Sequence, residues 1–216
     1  MDQPTPLLRW GKALLKLELS GPRGSVAGRA GFSGARVAAT GSQALALARP
    51  GLEVALRGAV THEMRETLKI WGARLVDAGE PFAPGPAVFA RTLGAELLAE
   101  LTEAPPLLVC PAGEPDALLG ALSALRERWP SVHGVALVAA GEELPDLPPD
   151  AALPAEIERV AVTSAQAAEA RSRVARELGL LANHAGAAAA VYAREHGGVA
   201  IVTALGEREF SLDRAP

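Results

Sequence analysis

Residues 16–29 read Lys16-Leu17-Glu18-Leu19-Ser20-Gly21-Pro22-Arg23-Gly24-Ser25-Val26-Ala27-Gly28-Arg29. The apolar run over residues 14–19 predicts a β-strand. Gly21, Pro22 and Gly24 then predict a turn, because glycine and proline interrupt regular structure. The residues after this turn can begin a helix. The segment therefore predicts a strand, a turn and a helix start, which is the repeating unit of parallel α/β folds.

The composition is that of a folded protein and excludes several classes of function. Hydrophobic residues make up 49% of the 216 positions, charged residues 21%, and the net charge is −4, so disorder and binding to nucleic acids or acidic membranes are disfavoured. No apolar run reaches membrane-spanning length, and the amino terminus lacks the pattern of a signal peptide. The single cysteine, Cys110, fits a reducing compartment. We expect a cytoplasmic protein without membrane or nucleic-acid partners.

Strands and helices alternate along the chain, which predicts an α/β fold with two lobes. We place the smaller lobe at residues 35–80 and the larger lobe at residues 1–34 together with 81–216. Residues 80–86 contain three prolines and a glycine and are predicted to link the lobes. The predicted strands cover residues 14–19, 37–39, 52–56, 73–76, 107–110, 135–139 and 199–203. The predicted helices cover residues 44–48, 62–71, 87–101, 116–128, 164–178 and 186–195.

Local signals mark several of the predicted boundaries. Asp116 is predicted to cap the helix over residues 116–128. Thr163 and Gln166 form the pattern of a capping box, and Gly179 is predicted to end the following helix. The segment 142–154 is acidic and rich in proline, which predicts a surface loop.

Several segments, in the same order along the chain, resemble the cysteine synthase and tryptophan synthase β family, the fold type II pyridoxal phosphate enzymes. Residues 16–29 are similar to the family's Lys-x-Glu, Asn-Pro turn and Gly-Ser-x-Lys-Asp-Arg. Residues 72–76 resemble its Gly-Ala-x-Leu/Val, residues 89–97 its Arg-Thr-Thr-Gly-Pro-Glu-Ile, and residues 162–181 its Val-Ser-Asp-Glu-Glu-Ala helix. Gly206-Glu207-Arg208 with Ser211 is similar to its Gly-Glu-Arg-Tyr-Leu-Ser ending. The resemblance implies a shortened two-lobe, three-layer αβα fold with mostly parallel sheets, usually assembled as a homodimer.

The positions that handle the cofactor depart from the family's pattern. The lysine that forms the Schiff base corresponds to Ala27, which has no amine. The substrate loop Thr-Ser-Gly-Asn corresponds to Ala39-Thr40-Gly41-Ser42. The serine that bonds the pyridine nitrogen corresponds to Leu205, which cannot make that bond.

The phosphate-binding loop of the family, Gly-Thr-Gly-Gly-Thr, corresponds to Gly113-Glu114-Pro115-Asp116-Ala117. Such a loop binds phosphate through backbone N–H groups at a helix start. Pro115 removes one of these donors. Glu114 and Asp116 add negative charge, and at about 4 Å and an effective dielectric constant of about 20 each like charge costs roughly 4 kcal/mol per unit charge. We therefore expect neither pyridoxal phosphate nor a catalytic residue.

Two places remain as candidate ligand sites. The segment Thr40-Gly41-Ser42-Gln43 offers hydroxyls and N–H groups at a predicted helix start, which can hold a carboxylate or can serve as an ordinary helix cap. His184 corresponds to the family's Ser-Ser-Gly-Ala turn at the mouth of the cofactor site, or belongs to a plain polar turn. The histidine and cysteine spacings predict no metal site. Cys110 is predicted to be a core residue, and strand geometry is predicted to point Lys12 and Lys16 away from the site.

Three hypotheses for the function follow from these observations. The leading one is a non-catalytic paralogue, a pseudoenzyme, that acts by pairing with itself or with a catalytic homologue. The second is a sensor of an amino acid or small carboxylate that uses the loop from Thr40 to Gln43. The third is a pyridoxal phosphate-type lyase or transferase of cysteine or related amino-acid metabolism with altered chemistry.

Overall fold

The computed structural model describes residues 6–18, 36–39, 50–56, 62–76, 89–140 and 153–203. The strands in these ranges are β1 (Leu7–Trp10), β2 (Ala13–Glu18), β3 (Arg36–Ala39), β4 (Glu53–Leu56), β5 (Arg74–Val76), β6 (Leu107–Pro111), β7 (His133–Ala139), β8 (Glu158–Val162) and β9 (Gly198–Thr203). The α-helices are α1 (His62–Ile70), α2 (Ala95–Glu100), α3 (Pro115–Arg128), α4 (Ser164–Leu178) and α5 (His184–His196). A π-helical turn, Ala90–Gly94, leads directly into α2.

The larger sheet has the strand order β1-β2-β9-β6-β7-β8. β1 runs antiparallel to β2, and all other neighbouring strands are parallel. In the β2–β9 ladder Lys16 lies opposite Ile201 and Glu18 lies opposite Thr203. The five parallel strands therefore end along one side of the sheet, which we call the carboxyl edge.

Helices cover both faces of this sheet, because successive strand residues alternate between two buried apolar clusters. On one face Leu108 and Cys110 of β6 pack in the same cluster as Leu97 of α2 and Leu118 of α3. On the other face Val109 packs in the cluster that contains residues of α4 and α5. Three layers, helix on sheet on helix, result.

The smaller sheet consists of β3, β4 and β5, in that order and all parallel. Its strand β4 and helix α1 contribute Val54 and Leu68 to the same buried cluster that contains Phe89 and Leu97. This sheet is formed by residues within the predicted smaller lobe. The boundaries of the two lobes, at residues 35–80 and the remainder, stay a prediction.

The β1–β2 hairpin is fixed to the helical layer through Trp10, which is buried. Its indole N–H donates to the Glu177 carboxylate of α4 at 3.1 Å, and the Arg194 guanidinium of α5 lies 4.3 Å from the ring centroid. Burial raises the pKa of the Glu177 carboxyl, but hydrogen bonds from Arg194 and Arg173 lower it, and the net pKa lies below the usual value. The hairpin is therefore part of the folded core and not a loose arm.

The predicted fold class is confirmed: an α/β architecture with mostly parallel sheets and helices on both faces of the larger sheet. The predicted cap of this helix is wrong, because α3 begins at Pro115 with Glu114 at the N-cap, so Asp116 is not the cap. Proline suits the first helical position, where its missing N–H leaves nothing unsatisfied. The predicted helix over residues 44–48, the linker over residues 80–86 and residues 142–152 of the predicted loop lie outside the described residues. No helix among the described residues is long and apolar enough to cross a membrane.

Candidate functional site

The ladder between β6 and β9 ends before the carboxyl edge, and we call the place where the two strands separate the crevice. The two strands pair only through Leu108 with Val199 and Val109 with Ala200, although β6 continues to Pro111 and β9 continues to Thr203. Pro111 has no N–H to extend the ladder. Parallel α/β sheets bind ligands where neighbouring strands separate at their carboxyl ends, so this edge is the candidate functional site.

The turn from β6 into α3 contributes the segment that corresponds to the family's phosphate loop. Glu114 holds the N-cap position with φ −120° and ψ 56°, and its side chain makes no hydrogen bond that caps the helix. Its backbone N–H donates to the Pro111 carbonyl at 3.0 Å. Glu114 is only 8% exposed, and Asp116 lies in the first turn of α3. This segment therefore holds two carboxylates close to a helix start.

The residues of this turn do not fit the phosphate of pyridoxal phosphate, the cofactor implied by the sequence resemblance. Of the backbone groups at the helix start, Pro115 has no N–H, and the N–H of Glu114 already has an internal acceptor. A dianion at this place would meet the carboxyl groups of Glu114 and Asp116 and would lack the N–H groups of positions 114 and 115. The donor set is thus wrong in number and in charge.

All three lysines of the sequence, Lys12, Lys16 and Lys69, lie within the described residues. Lys12 is exposed in the turn between β1 and β2, at the amino end of β2. A six-residue strand is about 20 Å long, so the Lys12 backbone lies that far from the carboxyl edge. Lys69 lies on α1, where its side chain is 56% exposed and pairs with Glu66. Lys12 is therefore remote from the crevice, and the Lys69 ammonium is paired with a carboxylate of its own helix.

Lys16 points into the layer between the larger sheet and α2. Its side chain is 0% exposed, and its ammonium nitrogen lies 2.9 Å from Glu96 Oε2 and 2.7 Å from Glu100 Oε1. We call these three residues the Lys16 clasp. Two carboxylates at hydrogen-bond distance hold this buried nitrogen in an ion-pair cluster. The clasp therefore joins β2 to α2.

The Lys16 clasp is a feature that the sequence reasoning missed. A partial signal was present, since Glu96 and Glu100 are four residues apart and so share one face of a helix. Lys16 also lies in a strand whose neighbours Leu15 and Leu17 are apolar. Nothing local to either segment pairs them, because 80 residues separate Lys16 from Glu96.

His184 is the first residue of α5 and is half-buried. Asn183 caps this helix, because its side-chain oxygen accepts a hydrogen bond from the Gly186 N–H at 2.6 Å. Since α5 leads into the amino end of β9, the start of α5 lies toward the carboxyl edge. His184 therefore lies toward the same carboxyl edge of the sheet as the Glu114 turn. The other candidate residues, Thr40, Gly41, Ser42 and Gln43, and also Ala27 and Leu205, lie outside the described residues.

Other candidate chemistry in the described ranges is weak. Cys110 is buried, with its Sγ 3.7 Å from the Glu114 carbonyl oxygen, which confirms the prediction of a core residue. No group of three or more histidine, cysteine, aspartate or glutamate residues in these ranges is placed to hold a metal ion. A shallow depression of about 440 Å³ lies between α3 and residues 156–157. These residues directly precede β8, so the depression lies away from the carboxyl edge.

The architecture is similar to that of several solved enzymes. One is a hydrogen sulfide-producing enzyme from Fusobacterium nucleatum, with 16% identity, a TM-score of 0.66, and coverage of 96% of this chain and 95% of that chain. Another is an O-acetylserine dependent cystathionine β-synthase from Helicobacter pylori, with 18% identity, a TM-score of 0.66, and coverage of 97% and 91%.

A third similar structure is a lysine-to-alanine variant of O-ureido-L-serine synthase with O-ureido-L-serine bound. It shares 20% identity with this chain, has a TM-score of 0.68, and the match covers 97% of this chain and 89% of that chain. At these identities the likeness establishes the fold, and the fold agrees with the one that the sequence resemblance implied. No protein-family model and no curated protein sequence matches the chain.

Proposed function

We propose that this protein is a non-catalytic member of the cysteine synthase-like group, a pseudoenzyme that keeps the fold without pyridoxal phosphate chemistry. The observation that carries the proposal is the placement of the three lysines. Lys16 is buried in the Lys16 clasp, Lys12 lies at the opposite end of β2 from the carboxyl edge, and Lys69 is paired with Glu66 on α1. Each lysine amine is thus either held by carboxylates or far from the carboxyl edge, which supports the proposal that none takes the part of the family's lysine.

The β6–α3 turn supports the same proposal independently. Ala27 lacks the amine to which the cofactor would be covalently attached, whereas Glu114 and Pro115 disfavour binding of the cofactor's phosphate. Restoring one of these features would leave the other defect in place. Two separate losses in one chain favour a scaffold that is no longer selected for this cofactor.

The experiment is to express the protein with excess pyridoxal phosphate, dialyse it, and measure the cofactor retained per chain. We expect far less than one cofactor per chain. A Lys12→Arg variant and a Lys69→Arg variant serve as controls, because weak labelling of these exposed amines would disappear in them. Retention of one cofactor per chain in the wild type and in both variants would contradict the proposal.

With no reaction to perform, the protein would act in the cytoplasm through association with itself or with a catalytic homologue. Sedimentation at several protein concentrations tests self-association, with a homodimer as the expected species. Mixing with the catalytic homologue of the same organism tests the second partner, by a shift of both proteins to a common, larger species. A monomer that forms no complex with the homologue would contradict action by association.

A second candidate function, a sensor of an amino acid or small carboxylate, is favoured by one observation. A protein of the same fold in which a lysine is replaced by alanine holds O-ureido-L-serine. We propose that the segment from Thr40 to Gln43, with His184, would hold the carboxylate of such a ligand here. Binding of O-ureido-L-serine, O-acetylserine or serine at about a hundred times its dissociation constant should stabilise the fold by roughly 2.7 kcal/mol. Absence of any thermal shift with all three would reject the sensor.

A further inference from the structure

Three features of the start of α3 bear on the ligands that it accepts. Pro115 occupies the first helical position and has no N–H. The N–H of Glu114 is directed to the Pro111 carbonyl at 3.0 Å, within the turn itself. Glu114 is also 8% exposed, so its carboxylate is held against the protein and is not free to swing into solvent.

Charge adds to the effect of the lost donors. A helix start attracts anions through its unpaired N–H groups and its dipole. In this chain Glu114 at the N-cap and Asp116 in the first turn already supply two negative charges to that end of α3. An incoming phosphate would meet like charges in a partly buried turn, where solvent screens them less than at the surface.

We infer that Glu114 and Pro115 are specificity-determining residues that exclude phosphorylated ligands from the carboxyl edge. A ligand of this crevice is therefore an unphosphorylated small molecule, and restoring a lysine at position 27 would not by itself restore affinity for pyridoxal phosphate. This inference rests on the proposed function and deepens it by defining the class of ligand that the site rejects.

The test measures the denaturation midpoint against increasing inorganic phosphate, with potassium chloride of equal ionic strength as the reference. The variant is Glu114→Gly combined with Pro115→Gly, which removes one charge and restores one N–H. Glu103→Gly is the matched control, because it makes the same change in net charge at an exposed position in the loop before β6.

The wild type and Glu103→Gly should show the same small rise of midpoint in phosphate over chloride, which increases without saturation because phosphate stabilises folded proteins non-specifically. The double variant should gain saturable stabilisation, with at least tenfold tighter binding of phosphate than the wild type. The inference is overturned if the wild type binds phosphate as tightly as the double variant, or if the double variant gains nothing.

If the double variant fails to fold, Glu114→Gln keeps the proline and the size of the side chain and removes only the charge. It should bind phosphate severalfold more tightly than the wild type, and an unchanged affinity would overturn the inference. The assay contains no pyridoxal compound. Failure of this inference is thus separate from failure of the proposed function, which is measured by cofactor retention in the wild type.

Discussion

Replacing Lys16 by methionine should destabilise the protein more than any other change of a single surface or core charge among the described residues. Methionine approximates the length of the lysine side chain, so the packing around it changes little. The loss of the ammonium leaves Glu96 and Glu100 facing each other across the space that it occupied, after contacts of 2.9 and 2.7 Å to the nitrogen. Removing one partner of a buried ion pair costs about 3–5 kcal/mol.

The expected loss of unfolding free energy is at the low end of that range, about 3 kcal/mol. The two glutamate side chains are 21% and 24% exposed, so water can reach them. In a chain of this size such a loss lowers the melting temperature by roughly 6–12 °C. Urea unfolding followed by circular dichroism measures the free energy directly. Converting Glu96 and Glu100 to glutamine in the Lys16→Met background should recover most of the loss, because the two charges that the ammonium faced are then removed.

The matched control is Lys69→Met, the same substitution at an exposed lysine that also pairs with a glutamate, Glu66. Exposed pairs contribute about 0–1 kcal/mol, so this variant should unfold close to the wild-type midpoint. If Lys16→Met and Lys69→Met lower the free energy of unfolding by the same amount, the Lys16 clasp does not stabilise the fold as proposed.

Three further predictions concern the frame of the fold. Gly94→Ala should lower the free energy of unfolding by about 1–3 kcal/mol, because a Cβ atom there would lie 2.5 Å from the Ala124 Cβ of α3. Adding Ala124→Gly should restore part of this free energy, as measured by urea unfolding. Thr163→Ala should cost about 1 kcal/mol by loss of the α4 capping box, and an unchanged midpoint would argue against the cap. The lowered pKa of Glu177 means that its carboxylate stabilises the fold above its ordinary pKa of about 4.3 and loses this effect as the pH falls through the folded-state pKa. Unfolding curves of the wild type and Glu177→Gln should therefore differ at neutral pH and converge in acid, and a constant difference would contradict that sign.

Sequence patterns predict those elements whose signals are local. The helix end at Gly179 has φ +66°, the left-handed conformation that favours glycine, and the capping box at Thr163 is present as the spacing indicates. β6 is a run of apolar residues between prolines, and β7 is similarly apolar. Both are buried parallel strands, for which a continuous apolar run is the expected pattern.

Elements at the edges of the larger sheet were not predicted as strands. β8 begins with Glu158 and Arg159, which are exposed, so it lacks the apolar run of a central strand. β1 has four residues, and only its pairing with β2 and the contacts of Trp10 make it a strand. The π-helical turn before α2 also has no local signal, and its Gly94 lies close against Ala124 of α3.

For the candidate site, too, the local features were predicted from the sequence and the contacts between distant segments were not. The resemblance placed residues 113–116 at a strand-to-helix turn, and the structure has that turn between β6 and α3. The burial of Glu114 and the partners of Lys16 depend on segments far apart in the sequence. They required the three-dimensional arrangement, because ion pairs between distant segments leave no periodic pattern.

The central claim, that no lysine amine serves a cofactor in this chain, is tested most directly by a variant in which Lys16 is the only lysine. Lys12→Arg with Lys69→Arg is incubated with pyridoxal phosphate, reduced with borohydride, and analysed by intact-mass and peptide mass spectrometry. We predict no modification of Lys16, with any label confined to the amino terminus. Addition of one cofactor per chain at Lys16 would contradict it.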